Sequence, residues 1–430
     1  MAREMKDSGI EWIGEIPSNW NMIRNKYLFD CSKGIVGEDW ASTQLLSLTT
    51  KGIIEKDPEH LSGKVPESFE TYQVVVPDNI VMCLFDLDCS AVFSGISRFK
   101  GMISPAYKVL SCKEIIHPHF ADLWFSFVFS GRKYKSYSKN LRYTLNYDEF
   151  AVIETPIPPL DEQSRIAAFL DRKCAEIDSV MADTRRTIEE YKALKQSIIT
   201  EAVTKGVRGK RPMKNSGIEW IGKIPEEWNT KKLKSICRKI TDGSHFSPET
   251  VDEGIPYITA KDVHGVGIDY ESACKITKDA FYQMEKAGCG PENGDVLIVK
   301  DGATTGRVGM IISDEPCVLL SSVAMLHTND GNYNRYLMYF MQSTIMQEQI
   351  QLSMAGSAMP RITLKKIVDF VMVVPPIEEQ TEISAYLDIN CSEIERIIEN
   401  KLQLLNELES YKKSVIYEYV TGKKEVPECP

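Results

Sequence analysis

Hydrophobic positions between residues 177 and 202 advance by alternating fours and threes: Ile177, Met181, Thr184, Ile188, Tyr191, Lys195, Ile198 and Ala202. The same ladder returns 217 residues later as Ile394, Ile398, Lys401, Leu405, Leu408, Lys412, Val415 and Tyr419. A 3.5-residue period is an a/d seam, so the pattern predicts two long helices that pair as a short coiled coil. Asp161-Glu162 and Glu378-Glu379 put negative charge on the first turn of each, where the helix dipole favours it. Gly206 and Gly422 stand where a left-handed C-cap residue belongs. From Asp161 to Thr204 is 44 residues, about 65 Å if unbroken at 1.5 Å per residue; a break near Asp171 to Cys174 would shorten it. The polar seam residues Thr184, Lys195, Lys401 and Lys412 predict modest affinity and a fixed register.

Outside these helices the apolar runs are short and bounded by Gly, Pro, Asp and Asn, as strands are. Gln73–Val76, Asn79–Met82 and Tyr107–Leu110 read so, as do Asp295–Val299, Arg307–Ile312 and Val323–Leu326. Phe120–Ser130 and Asn334–Gln351 read as helices. The mixture predicts an α+β class. The chain also repeats itself. Asp7-Ser-Gly-Ile-Glu-Trp-Ile-Gly-Glu-Ile-Pro-Ser-Asn-Trp20 returns as Asn215-Ser-Gly-Ile-Glu-Trp-Ile-Gly-Lys-Ile-Pro-Glu-Glu-Trp228, shifted by 208. Pro158-Pro-Leu-Asp-Glu-Gln163 returns as Pro375-Pro-Ile-Glu-Glu-Gln380, shifted by 217. Asp78 pairs with Asp295 and Ser104 with Ser321 at the larger shift, which places a gain of nine residues (217 − 208) before Asp295.

The expected architecture is two globular mixed α/β domains in tandem repeat, separated by two long helices that pair as an antiparallel coiled coil. Its segments are residues 1–157, a helical spacer 158–206, 207–374 with a basic linker 207–214, a second helical region 375–422 and a tail 423–430. The second helix must run back along the first, leaving the globes at opposite ends. The copies agree at their edges and in the helices. They disagree in their centres.

At 430 residues the length fits two to four domains. No apolar stretch is long enough to span a bilayer, and the first residues are too polar for a secretory signal, so a cytoplasmic protein is expected. Eleven scattered cysteines without a Cys-x-x-Cys read as reduced thiols, and no metal site is expected from the histidines. The net charge of −10 is unevenly spread. Nine acids lie between Glu378 and Glu409, on a helix, whereas Arg132, Lys133, Lys135, Lys139 and Arg142 fall within eleven residues that contain no acid. Lys205, Arg208, Lys210, Arg211 and Lys214 form a second basic run. Acid on the helices and base on the globes keep a nucleic-acid partner open.

Catalytic constellations are missing. Gly302-Ala-Thr-Thr-Gly-Arg307 lacks the spacing and ending of a phosphate-binding loop, and no Gly-x-Ser-x-Gly or His-Glu-x-x-His occurs. The Pro-Pro pairs follow Ile157 and Val374 and serve as helix-start punctuation. A chain with no catalysis and no cofactor of its own is expected. What remains is polar, basic and aromatic. Residues 131–144 interleave five bases with Tyr134, Tyr137 and Tyr143; a solvated helix face is the commoner meaning of such a run. Arg142-x-Thr144-Leu145 recurs as Arg361-x-Thr363-Leu364 before the same Pro-Pro junction, which weighs against that bland meaning. Arginine reads guanine bidentately, and hydroxyls serve phosphates or base edges. The candidate DNA-binding residues are Arg98, Lys100, Arg132, Lys133, Lys135, Lys139, Arg142, Tyr143 and Thr144 in the first copy. In the second they are Ser244, His245, Lys261, Lys300, Thr304, Thr305, Arg307, Arg361 and Thr363.

The repeated Ser-Gly-Ile-Glu-Trp-Ile-Gly-x-Ile-Pro-x-x-Trp opening and Pro158-Pro-Leu-x-Glu-Gln163 with Glu201-Ala-Val-Thr-Lys-Gly206 resemble the specificity subunit of a Type I restriction–modification system. So do Pro376–Gln380 through Tyr419-Val-Thr-Gly422, Gly294-Asp-Val-Leu-Ile298 and Ser104-Pro-Ala-Tyr107. The resemblance covers essentially the whole chain. It implies two target recognition domains, each reading half of a bipartite double-stranded DNA target and held apart by paired helices. It also implies two modification subunits that methylate adenine with S-adenosylmethionine, and restriction subunits that cleave DNA with ATP. None of that chemistry belongs to this chain. The reading from the residues leaves open a duplicated coiled-coil protein-interaction adaptor with no DNA contact.

Overall fold

A computed structural model describes residues 3–57, 68–90, 92–265, 267–354 and 360–427. The chain forms two compact units, one of Met1–Thr184 with Gln403–Pro430 and the other of Arg185–Leu402. Each therefore holds one copy's body, part of the helix that follows it and part of the other long helix.

The helical ladders become helices Leu160–Lys205 and Ile377–Val420. The first is unbroken through Asp171–Cys174, the place where a break would have shortened it; that stretch holds no Pro or Gly. Within each unit the two helices run antiparallel. In the first, Phe169 packs on Tyr419 with ring centroids 4.6 Å apart, and Lys412 ion-pairs with Asp178 at 2.7 Å. In the second, Lys195 binds Glu395, and the Lys401 ammonium lies over the Tyr191 ring. Ile177, Met181, Ile188, Ala202, Ile394, Leu405, Val415 and Tyr419 are buried on this seam. Its polar members are satisfied locally: the Thr184 hydroxyl donates to the Val180 carbonyl at 2.7 Å, and Lys195 and Lys412 reach carboxylates on the facing helix.

The repeated opening motif folds twice into a hairpin, with residues 5–7 pairing 15–17 and residues 213–215 pairing 223–225. Asp7 and Asn215 each accept from the amide two residues on, in an Asx turn. That turn needs a left-handed residue next, and Gly9 and Gly217 supply it with φ of 75° and 79°. Ile16 and Trp20, like Ile224 and Trp228, then point into the core. Strand 21–24 pairs with 154–157, and strand 229–232 with 371–374, so each body is closed by the segment that leads into its long helix.

Both bodies also carry the same antiparallel four-stranded sheet. Its order is 29–31, 108–112, 80–82, 94–96 in the first copy and 237–242, 323–328, 296–299, 308–310 in the second. Its cross-strand partners correct the expected register. Ile80 faces Leu110 as Val296 faces Leu326, a shift of 216. Asn79, not Asp78, is thus the counterpart of Asp295: each side chain accepts from the amide three residues earlier, Val76 or Glu292. Asp78 corresponds to Gly294, and both are left-handed, at φ 68° and 91°. The apolar run at 334–351 also divides, into helices Asn334–Gln342 and Thr344–Met354 around an extended Ser343.

One cluster joins these pieces. The Trp20 indole donates to Glu162 at 3.2 Å, and Arg3 binds the same carboxylate at 2.6 Å. Trp228 donates to Glu379 at 3.2 Å, and Arg211 binds it at 2.7 Å. The next residue braces the helix start. Gln163 donates to the Pro158 carbonyl and accepts from His117, while Gln380 donates to Pro375 and accepts from Tyr333. The helix that ends in the unit arrives here too: a Cβ on Gly422 would lie 2.4 Å from Pro17, and one on Gly206 would lie 3.1 Å from Trp228. Replacing Glu379 by Ala orphans an indole N–H and leaves the largely buried Arg211 guanidinium with only the Lys205 carbonyl and the Trp228 ring, and should cost about 3–5 kcal/mol in urea unfolding. Glu379→Gln, which keeps an acceptor for the indole, should cost clearly less; equal losses would show that the negative charge, and not the acceptor, is what matters.

Candidate nucleic-acid interface

In the first unit the basic run 132–144 lies at the C-terminal end of helix Pro118–Ser130. Its bases do not form one helical face, because the helix stops. Arg132 takes a left-handed φ of 50°, a single 3-10 turn spans Lys133–Tyr137, and a loop follows. Tyr134 is buried in the core. The loop is firmly held. The Asn140 side chain accepts from the Thr144 amide at 2.9 Å and donates to the Thr144 carbonyl at 2.7 Å. The Leu87 amide donates to the Tyr143 carbonyl, and Leu145 donates to Leu84. Tyr143 and Asp86 are both left-handed, at φ 45° and 51°. Such strain in non-glycine residues costs about 1–3 kcal/mol each and clusters at functional sites. Lys135 lies 4.2 Å from the Tyr143 ring centroid, and Lys133 lies 6.0 Å from that of Trp12. Lys139 and Arg142 are exposed.

Arg98 and Arg132 share an open groove of about 720 Å³ with Lys51 and the hydroxyls of Ser94, Ser126 and Ser130. Lys100 is exposed in the turn after Arg98. Beneath this basic rim sits Asp122, which the sequence shows only as a charge within an apolar stretch, since one acid in such a helix carries no site pattern. Burial pushes its carboxyl up to about 6, against the opposing pull of the Ile96 amide, His119 and Arg98.

In the second unit the candidates divide. Lys300 is 3% exposed. Its ammonium lies 3.0 Å from Asp242 and 3.3 Å from Asp301, so it is a buried structural cation and not a phosphate contact. Ser244 is also turned inward: its hydroxyl closes a local turn onto Phe246. The Thr305 hydroxyl donates to Gly302 and Pro360, and Arg307 donates to the Val263 carbonyl. Thr304 faces Ala260 at 3.5 Å. Lys261, His245, Arg361 and Thr363 remain exposed. The structure gathers His245, Lys300 and Arg361 around Asp242 and Asp301, two acids that belong to no candidate list read from the sequence.

The recurrence of Arg142 and Arg361 does not survive folding. Asn146 caps helix Tyr147–Ala151 and Thr363 occupies the N-cap position of Leu364–Ile367, each directly after a buried aliphatic residue, Leu145 or Ile362. The cap register therefore matches Arg361 with Thr144. Arg142 lies two residues further back, in the looped segment. Likewise the Leu145 amide donates to Leu84 and the Ile362 amide to Lys300, so Leu84 and Lys300 hold one position in the two bodies. Among the described residues, no group of three or more His, Cys, Asp or Glu could hold a metal ion, and no helix is long and apolar enough to cross a membrane.

Residues 225–409 match the family model of the Type I restriction modification DNA specificity domain. Over 423 residues the chain is 24% identical to the Type I restriction enzyme MjaVIII specificity subunit of Methanocaldococcus jannaschii, across 95% of this chain and 93% of that protein. It is 27% identical to the Type I restriction enzyme EcoBI specificity subunit of Escherichia coli over 271 residues, 59% of this chain and 55% of the other. A solved structure from a study of complex assembly and conformational transition of the type I R-M system is similar in fold. Its TM-score is 0.71 at 16% identity, over 95% of this chain and 99% of that one.

Asp122 gives a pH signature. Because its folded value of about 6 lies above the ordinary carboxyl value, the native state holds this proton more tightly than the unfolded chain. The stabilisation is complete below about pH 4 and is lost as pH rises through about 6. Asp122→Asn should flatten that slope and raise stability above pH 6 by up to about 3 kcal/mol, read by urea unfolding across pH. An unchanged slope would show that the carboxyl is hydrated in solution.

Proposed function

We propose that this chain, a member of the Type I restriction–modification specificity-subunit family, reads double-stranded DNA with two bodies, each taking one half of a bipartite target. The observation that supports this best is the contrast between a frame built twice and centres that differ. Hairpin, Trp–Glu pair, glutamine brace and closing strand pair recur position by position. At the equivalent positions above them, Leu84 becomes Lys300, Phe85 becomes Asp301 and Thr144 becomes Arg361. A scaffold needs equal frames. A reader of two unlike sequences needs unlike surfaces on them.

In this reading the basic groove rim of Lys51, Arg98 and Arg132 and the exposed Lys139 and Arg142 meet the DNA backbone in the first half. Arg361 and its neighbours serve the second. The paired helices set the spacer and dock two modification subunits, which supply adenine methylation with S-adenosylmethionine, and restriction subunits add ATP-dependent cleavage. Exposed acids along helix Ile377–Val420, Glu378, Glu393 and Glu399 among them, suit protein partners and repel phosphate, which keeps DNA on the bodies.

Phosphate contact has a thermodynamic signature. Each neutralised phosphate contributes about −0.9 to the slope of log K against log salt. Filter binding of the chain with its modification partner should give a slope of about −4 or steeper. A slope near zero would point instead to a protein adaptor.

A further inference from the structure

We infer that Arg361 is the specificity-determining side chain of the second body, and that Asp242, Lys300 and Asp301 are positioning residues that aim it. The inference rests on the DNA-reading role proposed above and adds the device that fixes one contact.

The four side chains form a line of alternating charge. Asp242 holds the Lys300 ammonium at 3.0 Å; Lys300 holds one oxygen of Asp301 at 3.3 Å; the other Asp301 oxygen meets Arg361 Nε at 2.9 Å. Side-chain exposure is 15% for Asp242 and 4% for Lys300, then rises through 30% for Asp301 to 62% for Arg361. The buried end is therefore anchored, and the last cation emerges at the surface. The backbone fixes the same junction. Ile362 donates to the Lys300 carbonyl at 2.8 Å, Gly302 donates to Pro360 at 3.2 Å, and Asp301 and Arg361 form an isolated antiparallel bridge. The closest approach is at Nε, and with the side chain 62% exposed the guanidinium stays open to a partner. Its forked donors are the pair that matches guanine O6 and N7.

Stability does not account for this line. Taking an ammonium out of water costs several kcal/mol, and a buried ion pair is often no better than an apolar pair of similar volume. The first body has the apolar solution: Leu84, buried at 3% exposure, stands where Lys300 does, with Phe85 and Thr144 in place of Asp301 and Arg361. The same frame folds both ways. What the charged version adds is an arginine whose direction is set before DNA arrives, which lowers the entropy lost on contact.

The test uses the full chain with its modification partner, mapping methylated sites and measuring competition by single-base variants of the parent's target. Arg361→Ala should relax one position of one half-site, by about 5-fold to 150-fold in discrimination, and leave the other half-site intact. Arg361→Lys should not restore it, because a point charge lacks the fork. Asp301→Asn leaves Lys300 paired with Asp242, so the body stays folded. It should relax the same position by about tenfold although Arg361 is present, and Asp301→Glu should recover most of that loss. Relaxation by Arg361→Ala together with an unchanged target for Asp301→Asn overturns the positioning role. A uniform loss on all sequences for Arg361→Ala makes it a phosphate contact and overturns the specificity role. The unmutated complex reports on the broader reading separately: if it does not bind DNA, that reading fails whatever the variants do.

Discussion

A tryptophan N–H bonded to a buried carboxylate in the first turn of a long helix is the constraint on which both halves of this protein depend. The carboxylate sits where the helix dipole is positive, accepts from the indole and binds an arginine, so its charge is compensated from three directions. Each partner comes from a different part of the chain: the opening hairpin, the segment before it and the long helix. Close packing of Gly206 and Gly422 beside it adds the end of the other helix. The chemistry of this anchor leaves little freedom, which explains why these residues read the same in both copies.

Above that anchor the requirements are looser. A strand end and the loop that crosses it can be filled by leucine, phenylalanine and threonine or by lysine, aspartate and arginine. Both choices satisfy burial, one through apolar contact and the other through a compensated chain of charge. Surface chemistry can therefore change without disturbing the frame, which is the physical condition for two bodies to take unlike half-sites while presenting like surfaces to their partners.

The parts of this architecture legible in the sequence are those governed by local periodicity. The a/d ladder gave both helices and their seam, and strands at 73–76, 79–82, 295–299 and 323–326 followed from β-branched runs with turn residues beside them. Long-range facts were not legible. The shift of 216 in the shared sheet hides because an aspartate can take a left-handed turn where glycine does, so Asp78 looked like Asp295 and stands in for Gly294. The arginine recurrence misled because the residues at the N-cap position, Asn146 and Thr363, differ in type although each opens a short helix. Lys300 looked like a surface cation since nothing local reveals that Asp242, 58 residues earlier (300 − 242), folds against it. Clusters of bases mark a surface only when acids from elsewhere do not claim them.

The most direct measurement is a map of every methylated adenine in DNA from cells carrying this chain with its modification partner. Two different short sequences separated by a spacer of fixed length and free composition are the expected result, with one methylated adenine in each part. A single continuous motif, two identical half-sites, or methylation with no sequence preference would contradict a doubled frame carrying two unlike readers.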